Sequence, residues 1–172
     1  MMLLKRAQQR IRLVRPSVAS PKAWAILAHC FARHGDLRTA RACAVRTAGD
    51  PYAVAKAWAA IAAASNDMQA LQRARRSCQQ LRDPFFRAKA HLIVFNACGQ
   101  RADLDAARTS AQHIPDTYFR GKAYSDIARA TNDARDRSVA ERCARALGTG
   151  YLGRRLRATL PAPPSPNHGG RH

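Results

Sequence analysis

Apolar residues along this chain cluster at helical rather than strand spacing, and the clusters return with a fixed beat. The fullest copy is Ala55-Lys56-Ala57-Trp58-Ala59-Ala60-Ile61-Ala62, whose opening recurs as Pro21-Lys22-Ala23-Trp24, Ala88-Lys89-Ala90-His91 and Gly121-Lys122-Ala123-Tyr124. The first lysine interval is thirty-four positions, and the next two are thirty-three each. Sixteen positions beyond each ring-bearing residue stands an alanine: Ala40, Ala74, Ala107 and Ala140. Periods in this range belong to small units stacked side by side, each burying a face that it could not bury alone. No run of alternating Val, Ile and Thr reads as a strand, so the expected class is all-α.

Residues 4–15 read as a helix with Ala7, Ile11 and Val14 on one stripe. Ala7 precedes Trp24 by seventeen positions, much as Ala40 precedes Trp58 by eighteen. Residues 1–19 are therefore expected to hold the second helix of an incomplete pair and a linker. Full helix pairs are expected at 20–49, 50–82, 83–115 and 116–148, then a terminal half repeat at 149–160 and a disordered Pro/Gly-rich tail at 161–172. Ser20-Pro21 supplies an N-cap followed by proline at the first helical position. Gly35 ends the first helix and Asp36 caps the second. Asp50, Asp83 and Asp116 open the later pairs at a constant interval, and their second helices are expected to begin near Asp67, Asp103 and Asp133. These seven aspartates account for most of the eleven acids as helix caps. The turn then falls twelve positions after the ring in pairs one and three but nine after it in pairs two and four, which suggests duplication of a two-pair unit.

Charge changes this picture more than composition does. Thirty basic residues against eleven acidic ones give a net charge of +19, which favours polyanionic partners. Twenty-five of the thirty are arginine, and an Ala/Arg-rich, Lys-poor chain also follows from a GC-rich genome. Lys5 and Arg6 follow directly on Met1-Met2-Leu3-Leu4, and no apolar run is long enough for a signal peptide or a membrane span. A cytoplasmic protein without membrane insertion is expected. Five cysteines at irregular spacings fit a reducing compartment better than a disulfide framework.

The repeat resembles the tetratricopeptide (TPR) pattern W-x2-L-G-x2-Y…A-x3-F…P. Pair one reads Trp24-x2-Leu27-Ala28-x2-Phe31…Ala40-x3-Ala44…Pro51, and pair two Trp58-x2-Ile61-Ala62-x2-Ser65…Ala74-x3-Cys78…Pro84. Pair four reads Tyr124-x2-Ile127-Ala128-x2-Thr131…Ala140-x3-Ala144. Pair three departs most, with Phe95 where the pattern has a small residue, and no second helix carries the large aromatic. Ankyrin shares the period, but its Thr-Pro-Leu-His signature is absent. The resemblance spans residues 4–160 and implies a right-handed α-solenoid of antiparallel helix pairs.

In that family the side of the first helix opposite the packed ring lines a concave groove. Lys22, Lys56, Lys89 and Lys122 occupy this register, and Arg155 realigns with it one repeat beyond Lys122. Two residues along a helix is a rotation of about 200°, so each lysine points away from its own pair's ring. First helices packed about 8–10 Å apart would form a cationic ladder about 35–40 Å long. The same face is expected to carry Ala25, Ala59, Leu92 and Ser125, then His29, Ala63, Asn96 and Arg129. Some family members hold peptide carboxylates with lysine, asparagine and arginine from successive pairs; here only the lysines match, so that specificity is not carried over. The competing reading is a solvated face kept by duplication.

Arg41, Arg75 and Arg108 form a second series on the second helices, broken by Glu141, and are expected to face solvent. The cysteines fall at core positions of the resemblance. His29, Cys30, His34 and Cys43 lack metal-ligand spacing, so no metal is assigned. No His-Glu-x2-His, phosphate loop or Gly-x-Ser-x-Gly is present, and no catalytic residue or cofactor is assigned.

The function expected from these residues is a non-catalytic protein–protein interaction scaffold whose basic groove binds an acidic peptide segment. Nucleic acid, RNA above all, is the second partner class; against it, aromatic content is 6% and the Trp and Tyr residues are read as core. A third reading is a fragment of the repeat array of a larger signalling or sensor protein. The apolar stripe of residues 4–15 is expected either to self-associate or to continue an array upstream.

Overall fold

The computed structural model describes residues 20–162, which form nine helices and no strand. They are α1 (Pro21–Arg33), α2 (Leu37–Val45), α3 (Pro51–Ser65), α4 (Met68–Gln80), α5 (Pro84–Cys98), α6 (Arg101–Gln112), α7 (Thr117–Thr131), α8 (Ala134–Ala146) and α9 (Tyr151–Arg157). The apolar stripe at Ala7, Ile11 and Val14 and the tail beyond Ala162 lie outside the described residues. Among those described, no helix is long and apolar enough to cross a membrane.

Caps set most of the beat. The side chains of Asp50, Asp83 and Asp116 accept backbone N–H bonds in the first turns of α3, α5 and α7, and Ser20 does so for α1. Asp36, Asp67 and Asp133 do the same for α2, α4 and α8. Each satisfies donors that the helix leaves orphaned. At the other end, Asn66, Gly99 and Asn132 turn the chain out of α3, α5 and α7 through left-handed backbone at φ 51°, 68° and 56°. Asparagine and glycine are the residues that adopt this conformation most cheaply.

Asp103 departs from expectation. The N-cap of α6 is Gln100, which makes no capping hydrogen bond, and Asp103 lies inside the first turn with its side chain buried. A buried arginine pairing, described below, holds it there. The turn therefore falls nine positions after His91, as it does after the rings of pairs two and four, and pair one alone differs. The suggested two-pair duplication falls away.

Packing follows a regular scheme. Each odd-numbered helix from α1 to α7 touches the even-numbered helix that follows it, and α1–α3, α3–α5, α5–α7 and α7–α9 also touch directly. Ala25, Ala59, Leu92 and Ser125 are buried rather than exposed beside the lysines. Odd helices packed this closely leave no open face at these positions, and alanine is small enough to permit the approach. Gly121 marks another close approach: a Cβ there would collide with the Leu156 side chain and lie 2.8 Å from Cys143 Cβ. Trp24, Trp58 and His91 are buried at the ring position, whereas Tyr124 is half-buried.

Candidate ligand-binding face

The two basic series meet different fates. Arg41, Arg75 and Arg108, expected to face solvent, instead tie successive even-numbered helices together. Arg75 donates from Nε and Nη2 to both carboxylate oxygens of Asp103, and from Nη2 to Gln100. Arg108 repeats the arrangement one period later, pairing with Asp136 through Nε and Nη2 and with Asp133 through Nη2. Arg41 reaches Asp67 alone, from Nη2 at 3.0 Å. The carboxylates beside Arg75 and Arg108 raise the pKa of both guanidiniums. Asp67 and Asp133 are held below the usual carboxylate range, first by backbone N–H bonds and also by their arginines.

On the odd helices the cations stay largely uncompensated. Lys22 and Arg155 are exposed, while Lys56, Lys89 and Lys122 are half-buried. Among the described residues, Lys122 is the only one of the five with a carboxylate in reach, Asp126 at 3.9 Å. Lys56 lies close enough to His29 to depress its pKa, behind the larger effects of burial and Arg33. His29, Ala63 and Asn96 are exposed, as expected of this face. Arg129 is exposed but engaged, bonding Asp126 and the Thr159 carbonyl. The structure thus brings His29 to Lys56, and Lys122 and Arg129 to one carboxylate.

A feature missed from the sequence lies in the first turns of the odd helices. Tyr52, Phe86, Phe85, Phe119 and Tyr118 form an unbroken line of edge and tilted ring contacts, with centroids 5.0–5.7 Å apart. Phe86 and Phe119 are 44% and 45% exposed and Tyr151 is 65% exposed, so these three are not core, whereas Tyr52, Phe85 and Tyr118 are half-buried against it. Pro84, Phe85, Phe86, Ile114, Pro115 and Phe119 line a cleft of about 280 Å³ there, with Asp83 and Asp116 at its edge. Lys89 Nζ lies 5.4 Å from the Phe85 centroid, and the Arg155 guanidinium 6.0 Å from that of Tyr151. The signal was present: Tyr52, Phe85, Tyr118 and Tyr151 stand four positions before Lys56, Lys89, Lys122 and Arg155.

The thiols offer no comparable chemistry. Cys78 is fully buried, and that burial pushes its pKa up to about 12. Cys43 and Cys143 are also buried, and all five cysteines are free. His34 Nδ1 bonds the Cys30 carbonyl at 2.8 Å within α1 and its C-cap. No family model, curated protein or solved structure matches the chain.

Proposed function

We propose that this chain is a TPR-like, right-handed α-solenoid that acts as a non-catalytic scaffold, binding an acidic peptide segment along its row of odd helices. One observation carries the reading. The same period that pairs Arg41, Arg75 and Arg108 with aspartate leaves Lys22, Lys56 and Lys89 without a carboxylate partner among the described residues. Charge left uncompensated in a regular row favours an extended anionic ligand and steers its approach. The regular caps, the evenly spaced left-handed turns at Asn66, Gly99 and Asn132 and the contacts between consecutive odd helices support the solenoid.

RNA is a second reading, favoured by the exposed rings Phe86, Phe119 and Tyr151 on the helices that carry these cations, since exposed rings beside positive charge suit base stacking along a strand. The experiment replaces Lys22, Lys56, Lys89 and Lys122 with alanine and measures binding of glutamate-rich peptides and single-stranded RNA, with thermal melting alongside. The expected outcome is lost peptide affinity, steeply salt-dependent in the parent, with a near-normal melt. Peptide binding that survives the four substitutions would refute the reading. RNA outcompeting the peptide would favour the second one.

A further inference from the structure

The junction between α2 and α4 lacks a carboxylate that the later junctions carry. Position 70 aligns with Asp103 and Asp136 in the repeat, and it is alanine. At the later junctions this aspartate receives the Nε–H of the preceding arginine: Arg75 to Asp103 at 2.9 Å and Arg108 to Asp136 at 3.1 Å. Among the described residues Arg41 bonds Asp67 through Nη2 and makes no bond from Nε. Where the missing carboxylate would stand there is a cleft of about 230 Å³, lined by Arg41, Trp58, Asp67, Gln69, Ala70 and Arg73.

Arg73 adds a second cation. Its guanidinium lies 4.6 Å from the Trp58 ring centroid, and no carboxylate pairs with it among the described residues. Its counterparts in the next two repeats are Ala106 and Val139, so of these three junctions only this one has it. The cleft holds two guanidiniums against the single carboxylate of Asp67, which is itself bonded to Arg41, Gln69 N and Ala70 N.

We propose that this cleft is a binding site for a small carboxylate, which accepts from Arg41 Nε as Asp103 and Asp136 accept from Arg75 and Arg108, and faces Arg73 across the Trp58 ring. The chain's own repeats show the geometry that such a group adopts. Planar guanidinium–carboxylate pairing favours this anion over a halide. The site is separate from the lysine row, and binding here does not depend on that face.

The test is thermal melting of the full chain with acetate or N-acetylglycine, against matched sodium chloride and inorganic phosphate. The carboxylates should raise the melting temperature of the parent above the chloride control. Ala70→Asp, which supplies the missing group from within, should melt higher than the parent and no longer respond to acetate. Arg73→Gln alters an exposed residue; it should melt normally and bind about tenfold more weakly, as the loss of one charge-assisted bond predicts. The four-lysine variant should respond like the parent. A parent indifferent to carboxylate, an Ala70→Asp chain that responds fully or is destabilised, or an Arg73→Gln chain of unchanged affinity would each overturn the proposal. Phosphate acting more strongly than either carboxylate would overturn the ligand class.

Discussion

Arg75 and Asp103, on successive even-numbered helices, face each other through two hydrogen bonds, Nε to Oδ1 at 2.9 Å and Nη2 to Oδ2 at 2.6 Å. The Asp103 side chain is only 4% exposed and that of Arg75 28%. Removing one partner strands the other in a dry site, which costs about 3 kcal/mol. Arg75→Ala is therefore expected to lower the urea unfolding free energy by about that amount. Arg41→Ala, at a side chain 47% exposed, should cost less than about 1 kcal/mol. Equal effects at the two sites would contradict the burial argument.

Gly121→Ala sets two opposed effects against each other. Alanine gains about 1 kcal/mol of helix propensity over glycine. The added methyl meets the Leu156 side chain, which can shift, and Cys143 Cβ at 2.8 Å, which cannot without moving α8. Overpacking of this kind costs about 1–3 kcal/mol and is expected to win. The variant should melt below the parent; a melting temperature at or above the parent's would mean that the Leu156 side chain and α8 absorb the methyl without strain.

His91 makes stability depend on pH. Burial, then Arg87 and Arg75, lower its pKa below the ordinary value of 6.5, against the opposing pull of Asp103. Its Nδ1 is buried without a hydrogen-bond partner. The unfolded chain then takes up a proton that the folded chain refuses, so this contribution is complete above about pH 6.5 and is lost as pH falls below it. His29 is shifted in the same direction. Melting curves from about pH 7.5 to 5 should fall more steeply for the parent than for His91→Phe; parallel curves would remove His91 from the account.

The all-helical class and six of the seven proposed aspartate caps were legible, because a cap and its helix are neighbours in sequence. Asp103 misled because aspartate is a better cap than glutamine, and local chemistry is silent about an arginine on another helix. Its alignment with Asp136, and that of Arg75 with Arg108, was nevertheless readable at the same period as the lysines. The lysine register was legible too, but the burial of its neighbours Ala25, Ala59, Leu92 and Ser125 was not, since it depends on how closely consecutive odd helices approach. The ring line went unread because the tyrosines were read as core and the phenylalanines beside them were not aligned with them.

The arginine clamps also grade the chain from end to end. Arg41 makes one side-chain hydrogen bond across the first junction, while Arg75 and Arg108 each engage two residues across the second and third. Apolar packing runs the other way: α1 to α5 share one large buried cluster, whereas α5 to α7 meet over a smaller one and α8 and α9 over a smaller one still, so the heavier clamps stand where the core is thinner. Loss of a clamp then matters most where packing offers least in its place: Arg108→Ala should speed amide exchange in α7 and α8 more than Arg41→Ala speeds it in α1 and α2.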